Sequence, residues 1–251
     1  LDLAQELARA GHNVEFVLMR ARGELLEEAR DHFSVVDLAT PRTRSLPLAL
    51  AHYLRQRRPD RLIAAMWPLT AIAPLAQRLS GHGCKVLVSE HGILSGEYRD
   101  WGKCHRLLLR LSTSLGYRHV NSRIGVSAGV AADMAFLSGM RSDAFEIVHN
   151  PIPPRAVPEQ ATLDIADRLW FGPRGARILT VGTLKTVKNH ALLLSAFARL
   201  DRPDARLMFV GDGTGRETLL SLVQDLGIVD QVIFAGFQLD PTPFYETADL
   251  F

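Results

Sequence analysis

Short runs of apolar and β-branched residues alternate along the chain with longer stretches in which apolar positions return every three or four residues. The short runs predict strands over residues 14–19, 35–38, 62–66, 85–89, 124–127 and 145–148, because Val, Ile, Leu and Phe suit a pleated, covered surface. The longer stretches predict helices over 46–57, 70–79, 103–117 and 128–137. The opening residues carry the same helical period, with Leu3, Leu7 and Ala8 on one side and Gly11 as a stop. After residue 170 the rhythm resumes, with strands over 178–182, 207–211 and 232–235 and helices over 190–200 and 216–226. Strands alternating with helices in this way form parallel sheets, because each crossover helix returns the chain and covers a face.

Between the two runs, Asn150-Pro151-Ile152-Pro153-Pro154 and Pro158 place four prolines within eight residues. Each fixes φ and removes a backbone donor, so neither a helix nor an inner strand continues there. Nine strands in a single twisted sheet would approach the practical limit of about ten. The expectation is an α/β chain of two doubly wound domains, 1–152 and 153–251, facing across a cleft. Ligands in such sheets bind beyond the carboxyl ends of the strands.

Composition narrows the class. The 251 residues are 47% hydrophobic and 22% charged with a net charge of +2, which supports two packed cores and argues against disorder. Cys84 and Cys104 are too few for a disulfide framework or a Cys-based zinc site, and reduced thiols in a cytoplasmic protein are the simple expectation. The longest uncharged stretch, 62–77, is interrupted by Pro68 and Pro74 and is shorter than the roughly 20 residues of a membrane-spanning helix. The chain opens without Met inside a helical period, and Ala248 to Phe251 read as the start of another strand. A fragment cut at both ends, lacking the first strand of its first domain, is expected. Residues 1–150 carry 19 Lys and Arg against 15 Asp and Glu, and residues 151–251 carry 10 against 12.

The richest candidate chemistry lies in Ile178-Leu179-Thr180-Val181-Gly182-Thr183-Leu184-Lys185-Thr186-Val187-Lys188-Asn189-His190. An apolar strand runs into Gly182, crosses a loop with two lysines and enters a helix, with Asn189 suited to the N-cap. Helix N–H groups plus a nearby ammonium suit a phosphate or diphosphate, and a glycine lets that anion approach the backbone. At the next junction, Gly211-Asp212-Gly213-Thr214-Gly215-Arg216 begins like a dinucleotide fingerprint but places Arg216 where the last glycine belongs. NAD is therefore disfavoured, and a tight turn lining a nucleotide pocket is expected instead. Gly236, after the third strand, would let a flat base approach in the same way.

In the first half, Glu90 and His91 end the strand Val86-Leu87-Val88-Ser89, where a His can bind a sugar hydroxyl or polarise a leaving group. From Arg99 to Arg123 there are six Lys and Arg against the single acid Asp100, with Leu107, Leu108, Leu109 and Leu111 among them. Such a helix either rests on an anionic membrane surface or packs on a sheet with a solvated basic face. Nucleic acid is disfavoured by the near-balanced charge and the lack of interleaved aromatics. The sequence holds no H-E-x-x-H, G-x-S-x-G or Walker A pattern.

These residues resemble the retaining GT-B glycosyltransferases of the "glycosyl transferases group 1", family-four type. The likeness rests on Gly125-Val126-Ser127, Val130-Ala131-Ala132-Asp133-Met134, Val148-His149-Asn150-Pro151-Ile152, Val181-Gly182-Thr183-Leu184 through Lys188-Asn189-His190, Val210-Gly211-Asp212-Gly213 and Val232-Ile233-Phe234-Ala235-Gly236. It implies two Rossmann-like domains, the first binding a glycan or lipid-linked acceptor and the second a nucleotide-sugar donor such as a UDP- or GDP-sugar, with no metal and no cofactor. It implies catalytic roles for Lys188 and His91. Gly182, Thr183 and Lys185 would join Lys188 at the donor diphosphate, and Gly211 and Gly236 would line the nucleotide pocket. Family members commonly carry Arg at the position of Thr183, so the diphosphate would rest more on Lys188 and Lys185. The implied setting is cell-surface polysaccharide or glycolipid synthesis at the inner face of the membrane. A GT-B-fold sugar-nucleotide epimerase and a non-catalytic partner subunit remain alternatives at this level.

Overall fold

The computed structural model describes residues 1–23, 25–151, 156–172 and 174–251, and the chain divides into two compact units, Leu1–Pro153 and Pro154–Phe251. The boundary expected at 152/153 lies outside the described residues.

The first unit opens with α1 (Asp2–Arg9), β1 (Glu15–Leu18), α2 (Leu26–His32) and β2 (Ser34–Asp37). It continues through α3 (Leu46–Arg57), β3 (Arg61–Ala65), α4 (Leu69–Ser80), β4 (Lys85–Glu90) and α5 (Leu94–Glu97). It closes with α6 (Lys103–Arg118), β5 (Ser122–Gly125), α7 (Ala128–Ser138) and β6 (Glu146–Ile147). β1 pairs with β2, and β3, β4, β5 and β6 pair in that order; every pairing is parallel. On β4 the period of two buries Val86, Val88 and Glu90 on one face. Val86 and Val88 join Leu54 of α3, Ala73 and Ala76 of α4, Tyr117 of α6 and Met134 of α7 in the core. β5 stops at Gly125, short of the expected 127, because Ser127 leaves the ladder and accepts the Val130 N–H at the start of α7.

The second unit contains α8 (Gln160–Leu169), β7 (Arg177–Val181), α9 (His190–Ala198), β8 (Arg206–Val210), α10 (Arg216–Asp225), β9 (Val232–Gly236) and α11 (Thr242–Glu246). β7, β8 and β9 form a parallel sheet in that order. β8 is buried along its whole length, since both of its faces are covered. Leu207 and Phe209 pack with Leu194 and Phe197 of α9 and Leu219 and Val223 of α10. Met208 and Val210 pack on the other side with Ala166 of α8 and Phe244 of α11. Helices on both faces of a parallel sheet make a doubly wound unit.

Leu250 bridges Ile178 in parallel on the free edge of β7, and Leu179 N–H donates to the Leu250 carbonyl at 2.8 Å. The spatial order is therefore β9, β8, β7, then the segment at Leu250. That order reverses direction at β7, so the carboxyl end of β7 is the topological switch point at which such sheets bind ligands.

Candidate functional site

Three strand ends of the second unit are stitched together through their backbones. Gly182 N–H donates to the Val210 carbonyl at 2.9 Å, and Gly211 N–H donates to the Gly236 carbonyl at 2.7 Å. Leu184 N–H donates to the Asp212 carbonyl at 3.0 Å, and Gly215 N–H returns to the Leu184 carbonyl at 2.9 Å. The closeness of these loops dictates a glycine at 211: a Cβ there would overlap the Gly182 carbonyl, and φ is +137°. Gly211 thus serves first to let two backbones meet. Gly236, with φ +71° and nothing within 4 Å of an added Cβ, does border open space.

Lys188 comes back to this rim. Residues Thr186–Lys188 form one 3-10 turn, with Lys188 N–H bonded to the Lys185 carbonyl at 3.0 Å. The turn swings the side chain over Gly182, where Lys188 Cε would lie 3.9 Å from a Cβ on that glycine. Lys188, Lys185 and Thr183 are all exposed. The structure therefore brings together Gly182, Thr183, Lys185, Lys188, Gly211 and Gly236, with one ammonium poised above the switch point.

Asn189 occupies the N-cap of α9 as expected, yet its side chain makes no capping bond. Its backbone is left-handed, at φ 52° and ψ 37°, whereas a capping side chain needs the extended conformation. His190, the first residue of α9, is buried, and its Nδ1 has no hydrogen-bond partner among the described residues. Burial, and secondarily the Lys188 charge, hold this imidazole below its ordinary pKa. Its ring stands edge-on to Phe209 at 5.4 Å, and Phe209 stacks on Phe234 at 5.0 Å. The Arg216 guanidinium lies 5.8 Å above the Phe234 ring. The first residues of α9 and α10 are thus braced on one aromatic pair. Sequence reasoning read Arg216 only as a missing glycine and gave His190 no role; their spacing to aromatics on neighbouring strands appears only after folding.

In the first unit the adjacent pair Glu90 and His91 separates. Glu90 points into the core and is fully buried. It accepts hydrogen bonds from the Thr70 hydroxyl, the Tyr117 hydroxyl at 2.8 Å and the Trp67 N–H at 3.1 Å. Burial outweighs these donors and raises its pKa, with the Glu97 charge adding to the rise. His91 lies exposed, its Nε2 3.2 Å from the Ser89 hydroxyl. The short helix α5 after His91 is held by Asp133 of α7, which accepts the Ser95 N–H at 3.1 Å. Asp133 had been visible only as part of a motif. Among the described residues, no group of three or more His, Cys, Asp and Glu side chains stands ready to hold a metal ion.

Two units of parallel strands and helices, one with a cation folded over a glycine rim at its switch point, place the chain among the α/β proteins. Family models give that class a narrower identity: glycosyltransferase family 4 matches residues 1–156, and glycosyl transferases group 1 matches residues 171–251. The chain belongs to glycosyltransferase family 4. It is 28% identical over 177 residues to the N-acetylgalactosamine-N,N'-diacetylbacillosaminyl-diphospho-undecaprenol 4-alpha-N-acetylgalactosaminyltransferase of Campylobacter jejuni, covering 70% of this chain and 46% of that one. It is 26% identical over 197 residues to the GDP-mannose-dependent alpha-(1-6)-phosphatidylinositol monomannoside mannosyltransferase of Mycolicibacterium smegmatis, covering 73% and 47%. The chain thus spans about half the length of these curated relatives. Among solved structures it resembles HepE of Anabaena in complex with UDP-glucose, with a TM-score of 0.80, 17% identity, and coverage of 99% and 68%. A glycosyltransferase of Rickettsia africae follows at 0.74, with 14% identity and coverage of 99% and 66%. These likenesses show the fold, that of GT-B glycosyltransferases.

Proposed function

We propose that the chain is part of a retaining hexosyltransferase that builds a cell-surface polysaccharide or glycolipid. The second unit would bind a UDP- or GDP-sugar, and the first would receive a glycan or lipid-linked acceptor. The observation that carries this reading is the Lys188 side chain folded over Gly182 at the end of β7. Departure of a nucleoside diphosphate concentrates negative charge on its terminal phosphate, and a fixed cation at that point lowers the barrier. Lys185 would add charge, and Thr183 a hydroxyl where an arginine would add a second cation. His91, exposed at the end of β4, would reach the donor sugar as a hydrogen-bonding partner. The reaction needs no protein nucleophile in this reading: the acceptor attacks the face from which the phosphate leaves, through an oxocarbenium-like state. A cytoplasmic enzyme, peripheral on the inner face of the membrane, suits a lipid-linked acceptor.

The test is Lys188→Ala in the complete enzyme. Transfer should fall at least tenfold, about 1.4 kcal/mol of barrier, and Lys188→Arg should recover part of it. Unchanged turnover would remove Lys188 from the site. Incubation with the donor alone separates transfer from epimerisation, because only an epimerase converts the sugar without an acceptor. Thermal stabilisation by UDP- against GDP-sugars identifies the base.

A further inference from the structure

α6 is apolar on two opposite sides. Leu109, Thr113, Gly116 and Tyr117 face inward and are buried. Leu107, Leu108, Leu111 and Leu115 recur at the spacing that gathers residues on one side of a helix, and they remain 58%, 55%, 53% and 61% exposed. A surface helix ordinarily turns polar residues to water, so an outward leucine stripe marks a contact surface. Lys103, Arg106, Arg110 and Arg118 run beside it, all exposed, and α6 contains no Asp or Glu. The Arg110 guanidinium lies 5.3 Å over the ring of Phe136 of α7, itself exposed, which widens the apolar strip. Trp101, exposed two residues before the helix, lies against Tyr98 at 4.3 Å with the rings tilted by 53°, and such an amphipathic ring suits the headgroup level of a bilayer.

We infer that the outer face of α6 docks on an anionic lipid bilayer, with the leucines entering the acyl boundary and the cations meeting the headgroups. Four cations without an acid beside the leucines favour a negatively charged, hydrophobic partner. A nucleic acid would leave the leucines in water, and a second copy of this face would set like charges together. In purpose the inference rests on the proposed transfer to a lipid-linked acceptor, which would lie in that bilayer; the surface itself rests on the helix alone.

The purified chain is mixed with vesicles of phosphatidylcholine, with or without phosphatidylglycerol. Binding is read by co-sedimentation and by an environment-sensitive dye on Cys104, which is exposed on α6 while Cys84 is buried. Affinity for the anionic vesicles should be at least about tenfold greater and should weaken with salt. Leu107→Gln/Leu111→Gln and Lys103→Glu/Arg106→Glu should each lower it at least about tenfold. Gln propagates a helix well and acids suit its beginning, so matched thermal melts should show the fold retained. Equal affinity for the two vesicle types, unchanged binding by either double variant, or a leucine-dependent dimer without vesicle binding would overturn the inference. Lys188→Ala should bind vesicles like the parent, so this surface and the transfer reaction stand or fall separately.

Discussion

At the scale of single residues, three glycines that look alike in sequence do different things. Gly182, Gly211 and Gly236 each stand at the carboxyl end of a strand, which is why all three were legible as candidates. What their neighbours are could not be read. Gly211 is required by the carbonyl of Gly182, whereas Gly236 faces open space. Gly211→Ala should therefore cost at least about 2 kcal/mol from strain and overlap. Gly236→Ala should cost about 1 kcal/mol, from its left-handed backbone alone. Urea melts would compare them, and equal costs would contradict the close contact. Glu90 and His91 teach the same lesson. Their position at a strand end was legible, but alternation turns the first inward and leaves the second exposed, so only His91 keeps a candidate role.

At the scale of elements, Glu90 ties β4 to α4 through Thr70, to α6 through Tyr117 and to the segment before α4 through Trp67. Because burial raises its folded-state pKa, the folded chain holds this proton more tightly than the unfolded one. The stability it lends is complete below the ordinary carboxylate pKa and is lost as pH rises through the folded value. Relative to Glu90→Gln, which cannot titrate, the parent should lose melting temperature as pH climbs above the ordinary carboxylate range. Parallel curves for the two proteins would show that Glu90 gains its charge without cost. Periodicity exposed most elements: β8 reads as an unbroken apolar run because helices cover both of its faces. It missed α2, α5 and α11, seven, four and five residues long, since a period of 3.6 hardly shows in so short a span. It also missed α8, whose Ile165 lies outside while Ala166 lies inside. On α6 the helical period was plain, but which of two leucine-bearing sides enters the core depends on what α4 and α7 beneath it supply.

For the whole molecule, the division into Leu1–Pro153 and Pro154–Phe251 rests on separate cores. Leu54 is fully buried among α3, α4 and α7 residues of the first, and Leu207 among α9 and α10 residues of the second. Either change to Ala should cost about 2–5 kcal/mol. Hydrogen exchange should show each loss confined to its own unit, and a shared loss would mean that the chain unfolds as one body. The proline-rich stretch made a division legible in sequence, and the restart of the strand–helix rhythm made both halves α/β. The position of β7 at the switch point needed the Leu250 bridge, a contact between residues far apart in sequence. The stitched rim at that point carries one last consequence. The amides of Gly182, Leu184, Gly211 and Gly215 already donate to neighbouring carbonyls, so none of these four is left to greet an anion. Those loops form a stiff collar whose shape is settled during folding, and in the proposed reaction the grip on the diphosphate would pass to the long, hydrated arm of Lys188 reaching across it.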